Sequence, residues 1–297
     1  MALTEAEHNI QNHQNLENLV DSGTYVPVLH VSEVSKSFDF NIMPEIKRNG
    51  GGRNAVASRS IHKVLDSLDL RIKEGEFVTI VGISGCGKST LLNIIAGLDK
   101  PDSGSVTVRG SSNISDTKRI LIFQEGALFP WLSVIENVEF GLKIANIPKE
   151  QRRAIVDKYV ELVGLTRFAE TFVYQLSGGM KQRVAIARAL ALEPEILLMD
   201  EPFASLDVQT RDLLHEELVG IHKTTRKTIL FVTHNISEAI LLGDRVIVLS
   251  PNLHRIRREF AIDLPRPRDP ETPELYEIKR QILNEFEGDL QIAKRKE

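Results

Sequence analysis

The most constraining stretch of this chain is Gly82-Ile-Ser-Gly-Cys-Gly-Lys88-Ser89-Thr90. It follows an apolar run, Phe77–Val81, and opens an apolar-patterned segment from Ser89 to Ala96 that Gly97 stops. A glycine-rich turn between a buried strand and a helix start lets backbone N–H groups turn inward around phosphate oxygens. The helix N-terminus adds partial positive charge at the same point. Gly82, Ser84, Gly85, Cys86, Gly87 and Thr90 form the cradle, with Cys86 read as a small filler. Lys88 is placed to reach β- and γ-phosphates, and the Ser89 hydroxyl to ligate Mg²⁺. A chain built around this unit must form a strand, a loop and a helix in that order, which points to an α/β fold.

Further short apolar runs each end in a polar residue. Ile120–Phe123 ends at Gln124, Ile196–Met199 at Asp200 and Ile229–Thr233 at His234, with Arg245–Leu249 a further run. Strands apolar on both faces read as a buried parallel sheet. In open α/β sheets ligands sit beyond the carboxyl ends of the strands. Four strands therefore deliver polar groups to one edge.

Val26 to Val34 predicts a first strand. Residues 41–60, with Gly50-Gly51-Gly52-Arg53-Asn54, predict a flexible insertion or long hairpin loop. The interval from Gln124 to Arg183 reads as mostly helical, including a helix over 149–163, and places an inserted helical subdomain at about 125–183. Ser205 to Ile221 predicts another helix. Beyond Pro251 the pattern loosens. Leu264-Pro265-Arg266-Pro267-Arg268-Asp269 cannot continue a helix, and a short helical tail follows with Leu275, Ile278, Ile282 and Phe286 on one face. The expected layout is a flexible segment over 1–24, a nucleotide-binding domain over 25–252 and a tail over 253–297.

Alone, the glycine loop does not separate one class of nucleotide-using protein from another. Ile196-Leu-Leu-Met-Asp200-Glu201 narrows the choice. Asp200 suits a hard cation, and Glu201 beside it can polarise an attacking water as general base. Leu176-Ser177-Gly178-Gly179-Met180-Lys181-Gln182-Arg183 is more specific still. Ser177 is a good N-cap, and Gly178 and Gly179 leave the helix amides open to an anion. One chain thus carries two phosphate sites but a single glycine loop.

LSGGMKQR followed by ILLMDEP resembles the ABC ATPase family, and the match runs from about Val31 to Ser250. The resemblance implies a P-loop NTPase sheet core with an inserted helical subdomain, ATP and Mg²⁺ as ligands, and ATP hydrolysis. It implies that two cassettes pair head to tail, as two copies of the chain or with a homologous ATPase. Ser177 and Gly179 would then touch the γ-phosphate held by the partner's Lys88. His234 in Phe231-Val-Thr-His234 matches the switch histidine, and Gln124 the glutamine linking metal site to permease. Asp207 in Ala204-Ser205-Leu206-Asp207 matches the acid of the loop that crosses the dimer interface. Phe38 in Val34-Ser-Lys-Ser-Phe38 matches the aromatic that stacks on adenine, with Phe40 a nearby substitute. By the same resemblance Glu201, His234 and Lys88 carry catalysis, and Ser89, Gln124 and Asp200 surround the metal.

Phe129-Pro130-Trp131-Leu132 holds the chain's one Trp. It reads either as subdomain core or as a groove for a short permease helix. That segment and Leu264–Arg268 resemble ATPases of the nitrate, sulfonate and taurine importer group, which implies membrane permease subunits and, indirectly, a solute-binding protein. An exporter ATPase and a non-transport ABC switch are the alternative readings.

Composition agrees. The net charge of -4 gives no basic field for nucleic acid. With one cysteine, Cys86, no intrachain disulfide forms, as in a reducing compartment. No apolar run approaches the roughly 18 residues of a membrane span, and the polar N-terminus lacks a secretory layout. The expected location is therefore peripheral, on the cytoplasmic face of the cell membrane.

Overall fold

The computed structural model describes residues 26–41, 59–109, 119–124 and 126–294. β1 (Leu29–Asn41) and β2 (Arg59–Ile72) pair antiparallel, from Leu29↔Ile72 to Asn41↔Arg59. The first strand thus starts later and runs further than Val26–Val34. The segment 1–24 and most of the expected insertion over 41–60 lie outside the described residues.

β3 (Phe77–Val81), α1 (Lys88–Ala96), β4 (Ser103–Val108) and β5 (Arg119–Ile122) follow. β4 pairs with β1, so β2-β1-β4 form a three-stranded antiparallel sheet that the apolar pattern did not predict. The reason is local: β4 reads SGSVTV and only its last residue is buried. α2 (Val134–Ile144), α3 (Lys149–Leu162) and α4 (Gly178–Ala191) fill the interval expected to be helical, with α4 continuing past Arg183. A capping box starts α2: Ser133 accepts from the Glu136 N–H, and the Glu136 carboxylate accepts from the Ser133 N–H.

β6 (Ile196–Asp200), α5 (Val208–Thr225), β7 (Thr228–Thr233), α6 (Ile236–Leu242), β8 (Arg245–Ser250), β9 (Arg255–Ala261) and α7 (Pro273–Lys294) complete the order. α5 starts three residues later than the predicted Ser205, because the Asp207 side chain accepts from the Thr210 N–H and caps the helix there.

The larger sheet has the order β5-β6-β7-β3-β8-β9. Its pairings are parallel except the last, where β9 adds antiparallel to β8. The sheet thus extends past residue 252, into the region expected to be tail. Successive residues feed opposite layers. Leu197, Met199, Ile229 and Phe231 join the core shared with α2, α3, α4 and α5. Ile196, Leu198, Leu230 and Val232 join the core shared with α1 and the antiparallel sheet. Burying each such side chain stabilises the fold by about 1.5–3 kcal/mol, so a one-residue slip of a central strand would be prohibitive.

A third core joins α6 and β8 to the C-terminal region, through Ala239, Ile240, Val248, Leu275, Ile282 and Phe286. The helical tail is therefore not short: α7 spans 22 residues and packs its apolar face. Arg268 secures the approach to it. Its guanidinium donates to the carbonyls of Ile240 at 2.8 Å, Leu241 at 3.3 Å and Ile262 at 3.0 Å, and also to Gly243 and Leu264. It therefore closes the open C-terminal end of α6. Burial lowers its pKa to about 10, which leaves it charged at neutral pH. Arg268→Met keeps the apolar stem but strips these carbonyls of their donor. Denaturant melting should show a loss of about 2–3 kcal/mol, while Arg280→Met, on the exposed face of α7, should leave the melt unchanged.

Candidate active site

The carboxyl edge of the parallel sheet gathers the residues singled out above. Register sets who meets whom: Val81 pairs with Thr233 and Asp200 with Val232. The residues that follow, Gly82, Glu201 and His234, therefore leave three neighbouring strands side by side.

The glycine loop leaves β3 and closes onto α1. Gly87 has φ of 100°, and a Cβ there would lie 2.9 Å from Val64 Cγ1 and 3.0 Å from Leu65 Cδ2. Glycine alone satisfies both the backbone and the close approach to β2. Cys86 is buried, as expected of a filler. Lys88, 6% exposed, donates from Nζ to the carbonyls of Gly82 at 2.9 Å and Ile83 at 3.2 Å. The same ammonium lies 3.8 Å from Glu201 Oε1. Ser84, Gly85 and Ser89 are exposed along the loop and at the helix start, with Thr90 partly covered.

Glu201 is held in an uncommon conformation. Its φ is 44°, and its N–H donates to Val232 O at 2.9 Å. A left-handed non-glycine residue costs on the order of 1–3 kcal/mol. The surrounding pairing imposes it and turns the carboxylate away from the strand line. Glu201 Oε2 then meets His234 Nδ1 at 2.8 Å. An ionised carboxylate can only accept, so Nδ1 carries the hydrogen and Nε2 is left available. The loop under His234 is itself fixed. Thr233 Oγ1 accepts from Asn235 N–H, and Asn235 caps α6 through Ser237 and Glu238.

Asp200 lies beside this pair. Burial pushes its carboxyl upward, the Ser89 hydroxyl bond opposes that, the Glu201 charge reinforces it and Lys88 opposes it. Its Oδ1 is buried without a hydrogen-bond partner. An orphaned carboxylate oxygen beside a serine hydroxyl is a donor set suited to a hard cation. Gln124, exposed just past β5, can add an amide oxygen from the same edge.

Phe38 is on β1, 36% exposed, with Lys36 Nζ 5.3 Å from its ring centroid. Its cross-strand partner is His62, two residues before Val64, the residue that meets Gly87. The ring therefore belongs to the hairpin that walls the glycine loop. The Phe40 side chain lies outside the described residues.

The second phosphate motif sits apart. Ser177 caps α4, accepting from the Met180 N–H at 3.3 Å, and Ser177 and Gly178 are exposed. A Cβ at Gly179 would lie 2.6 Å from Thr210 Cγ2. The glycine thus lets the start of α4 pack on the start of α5, just after Asp207. Among the described residues no hydrogen bond or ion pair joins Ser177–Gly179 to the glycine loop.

A shallow cleft beside Glu201 and His234 is also lined by Phe203, Arg211, Asn235 and Glu238. The motif reading missed these four. Asn235 and Glu238 have cap and N3 spacing, which marks a helix start. Nothing local in the sequence reveals that Glu238 is buried.

The chain is similar to known proteins in both sequence and fold. Residues 65–204 match the model of the ABC transporter family. An uncharacterized ABC transporter ATP-binding protein of Methanocaldococcus jannaschii is 47% identical over 86% of this chain and 90% of that protein. The nitrate import ATP-binding protein NrtD of Synechocystis is 47% identical over 76% of this chain and 85% of that protein. Among solved structures, a dimeric ATP-binding cassette in a post-hydrolysis state, bound to ADP and Pi, is 34% identical with a TM-score of 0.63. It covers 80% of this chain and all of that one. The chain belongs to the ABC transporter family, as an ATP-binding and ATP-hydrolysing subunit.

Proposed function

We propose that the chain powers an importer of a small anion, such as nitrate, a sulfonate or taurine. The observation that carries the chemistry is the convergence of Lys88, Glu201 and His234 at the ends of three adjacent strands. The nitrate relative supports the solute class, and other subunits select the solute itself.

In this reading the loop amides and Lys88 hold the β- and γ-phosphates of ATP, with Phe38 against the adenine. Ser89, Asp200 and Gln124 would hold Mg²⁺, which would supply positive charge to neutralise the phosphates. Lys88 swings from the Gly82 and Ile83 carbonyls to phosphate oxygens, its loss of one set of acceptors offset by charged ones. Glu201 takes a proton from the attacking water as the water oxygen bonds to γ-phosphorus. The bond from γ-phosphorus to the bridging oxygen breaks, and ADP leaves. His234 holds the Glu201 carboxylate through Nδ1 and can meet the γ-phosphate through Nε2.

The exposed start of α4 supports a composite site. Ser177, Gly178 and Gly179 serve ATP held by a second copy or a homologous ATPase, with Asp207 beside the same interface. The surface near Gln124 supports a membrane partner. Trp131 is 66% exposed, so the core reading of this residue is set aside. Tyr174 is 63% and Phe172 43% exposed, and the two rings stack at 5.7 Å. The Val173 N–H donates to Leu132 O, which places this pair beside Trp131. An apolar aromatic patch of this kind suits a permease helix. No helix among the described residues is long and apolar enough to cross a membrane. In this reading the chain works at the cytoplasmic face of the membrane beneath the permease, and a solute-binding protein is an indirect partner.

Glu201→Gln should keep ATP binding and lower turnover by about 10²–10⁴-fold, read from nucleotide titration and steady-state phosphate release. Near-normal turnover would remove Glu201 from its role. Lys88→Ala should weaken binding as well, because it removes a charge from ground-state phosphates.

Trp131→Ala should leave melting and ATP binding of the purified chain unchanged. Co-purification with the permease should fall by about thirtyfold in affinity, the equivalent of about 2 kcal/mol for a central aromatic anchor. Undiminished permease capture would contradict the docking reading.

A further inference from the structure

Behind the cleft lies a buried ionisable pair that the motifs do not include. Glu238 on α6 is 4% exposed and His215 on α5 is 7% exposed. His215 Nε2 lies 2.7 Å from Glu238 Oε1. The other ring nitrogen faces Asp212, 3.9 Å away and largely exposed. The contact therefore runs from an Nε2–H to a carboxylate oxygen.

The pair sits between two loops. Glu238 follows His234 by four residues, and its N–H is held by the Asn235 cap. The His215 ring packs on Phe203 with centroids 5.5 Å apart, and Phe203 packs on Phe231 of β7 at 5.7 Å. Phe203 lies two residues after Glu201. Arg211, one turn before His215, donates to Leu206 O at 2.8 Å and so ties the loop ahead of Asp207 to the same helix. One face of α5 thus touches both the segment that carries Glu201 and the helix that follows the His234 loop.

We infer that the His215–Glu238 pair is a positioning latch, which locks α6 to α5 and so fixes His234 against Glu201. The inference rests on the assignment of Glu201 and His234 to hydrolysis. Removing the latch leaves the glycine loop untouched but lets the His234 loop shift. A burial of this kind costs desolvation on both groups. It is retained here where a displacement of about 1 Å at the reacting groups can cost 10²-fold in rate.

The test is a set of steady-state ATPase measurements on the purified full chain, each with a thermal melt. Glu238→Leu fills the space but cannot accept a hydrogen bond. It should lower kcat by about 10–100-fold with KM for ATP within about twofold. Glu238→Gln still accepts through Oε1 and should restore most of the rate. In a His234→Ala background, Glu238→Leu should cost less than about twofold more, because the group it positions is gone. If Glu238→Leu does not fold, His215→Phe, which keeps the ring against Phe203 but lacks the donor, should show the same kcat-only loss. The latch is overturned if kcat is unchanged, if KM and melting shift along with kcat, if Gln rescues no better than Leu, or if the loss is equal in the His234→Ala background. Glu201→Gln, run alongside, separates the two readings. If it too keeps full turnover, the hydrolytic assignment fails. If it alone is inactive, only the latch fails.

Discussion

The site depends on the parallel register of three central strands. Pairing Val81 with Thr233 and Asp200 with Val232 puts Gly82, Glu201 and His234 within one residue of the same level. Both faces of these strands are buried, so the register is locked by the two cores above and below them. That rigidity is what holds Glu201 at a φ of 44°. A strained carboxylate on a loose strand would relax, whereas here it is over-determined by its Val232 hydrogen bond and by His234.

The layers outside the sheet turn this edge into a device. The antiparallel hairpin walls the glycine loop and presents Phe38. α4 and α5 pack start to start through Gly179, and Ser177 and Gly178 at the head of α4 are exposed. In the proposed function this exposed helix start serves the nucleotide of a second cassette. The aromatic patch of Trp131, Phe172 and Tyr174 lies on the helical subdomain, close in sequence to Gln124. In the proposed function, nucleotide, a second cassette and a membrane partner each engage this one framework.

Much of this was legible in the sequence because the chemistry is local. The loop from Gly82 to Thr90, the Asp200-Glu201 strand end and the Ser177 cap each occupy a few consecutive residues, and each motif demands its own backbone context. β4 and β9 were not legible. β4 has one buried residue and β9, RIRREFA, has one, so neither shows the apolar run of a central strand. Both are recruited by neighbours already in place. The length of α7 was underread because Glu, Lys and Arg dominate its exposed face. The His215–Glu238 pair is a purely tertiary feature. A His on one helix and a Glu on another read as solvent-facing charges until packing brings them to 2.7 Å.

The central claim is that one chain holds half of each hydrolytic site. Light scattering on size-exclusion chromatography of the Glu201→Gln chain, with and without saturating ATP and Mg²⁺, tests it most directly. The account predicts a monomer that becomes a dimer on adding ATP, and a Ser177→Arg/Glu201→Gln chain that binds ATP yet stays monomeric. A Glu201→Gln chain that remains monomeric with ATP bound, or a Ser177→Arg/Glu201→Gln chain that dimerises as well as its parent, would contradict it.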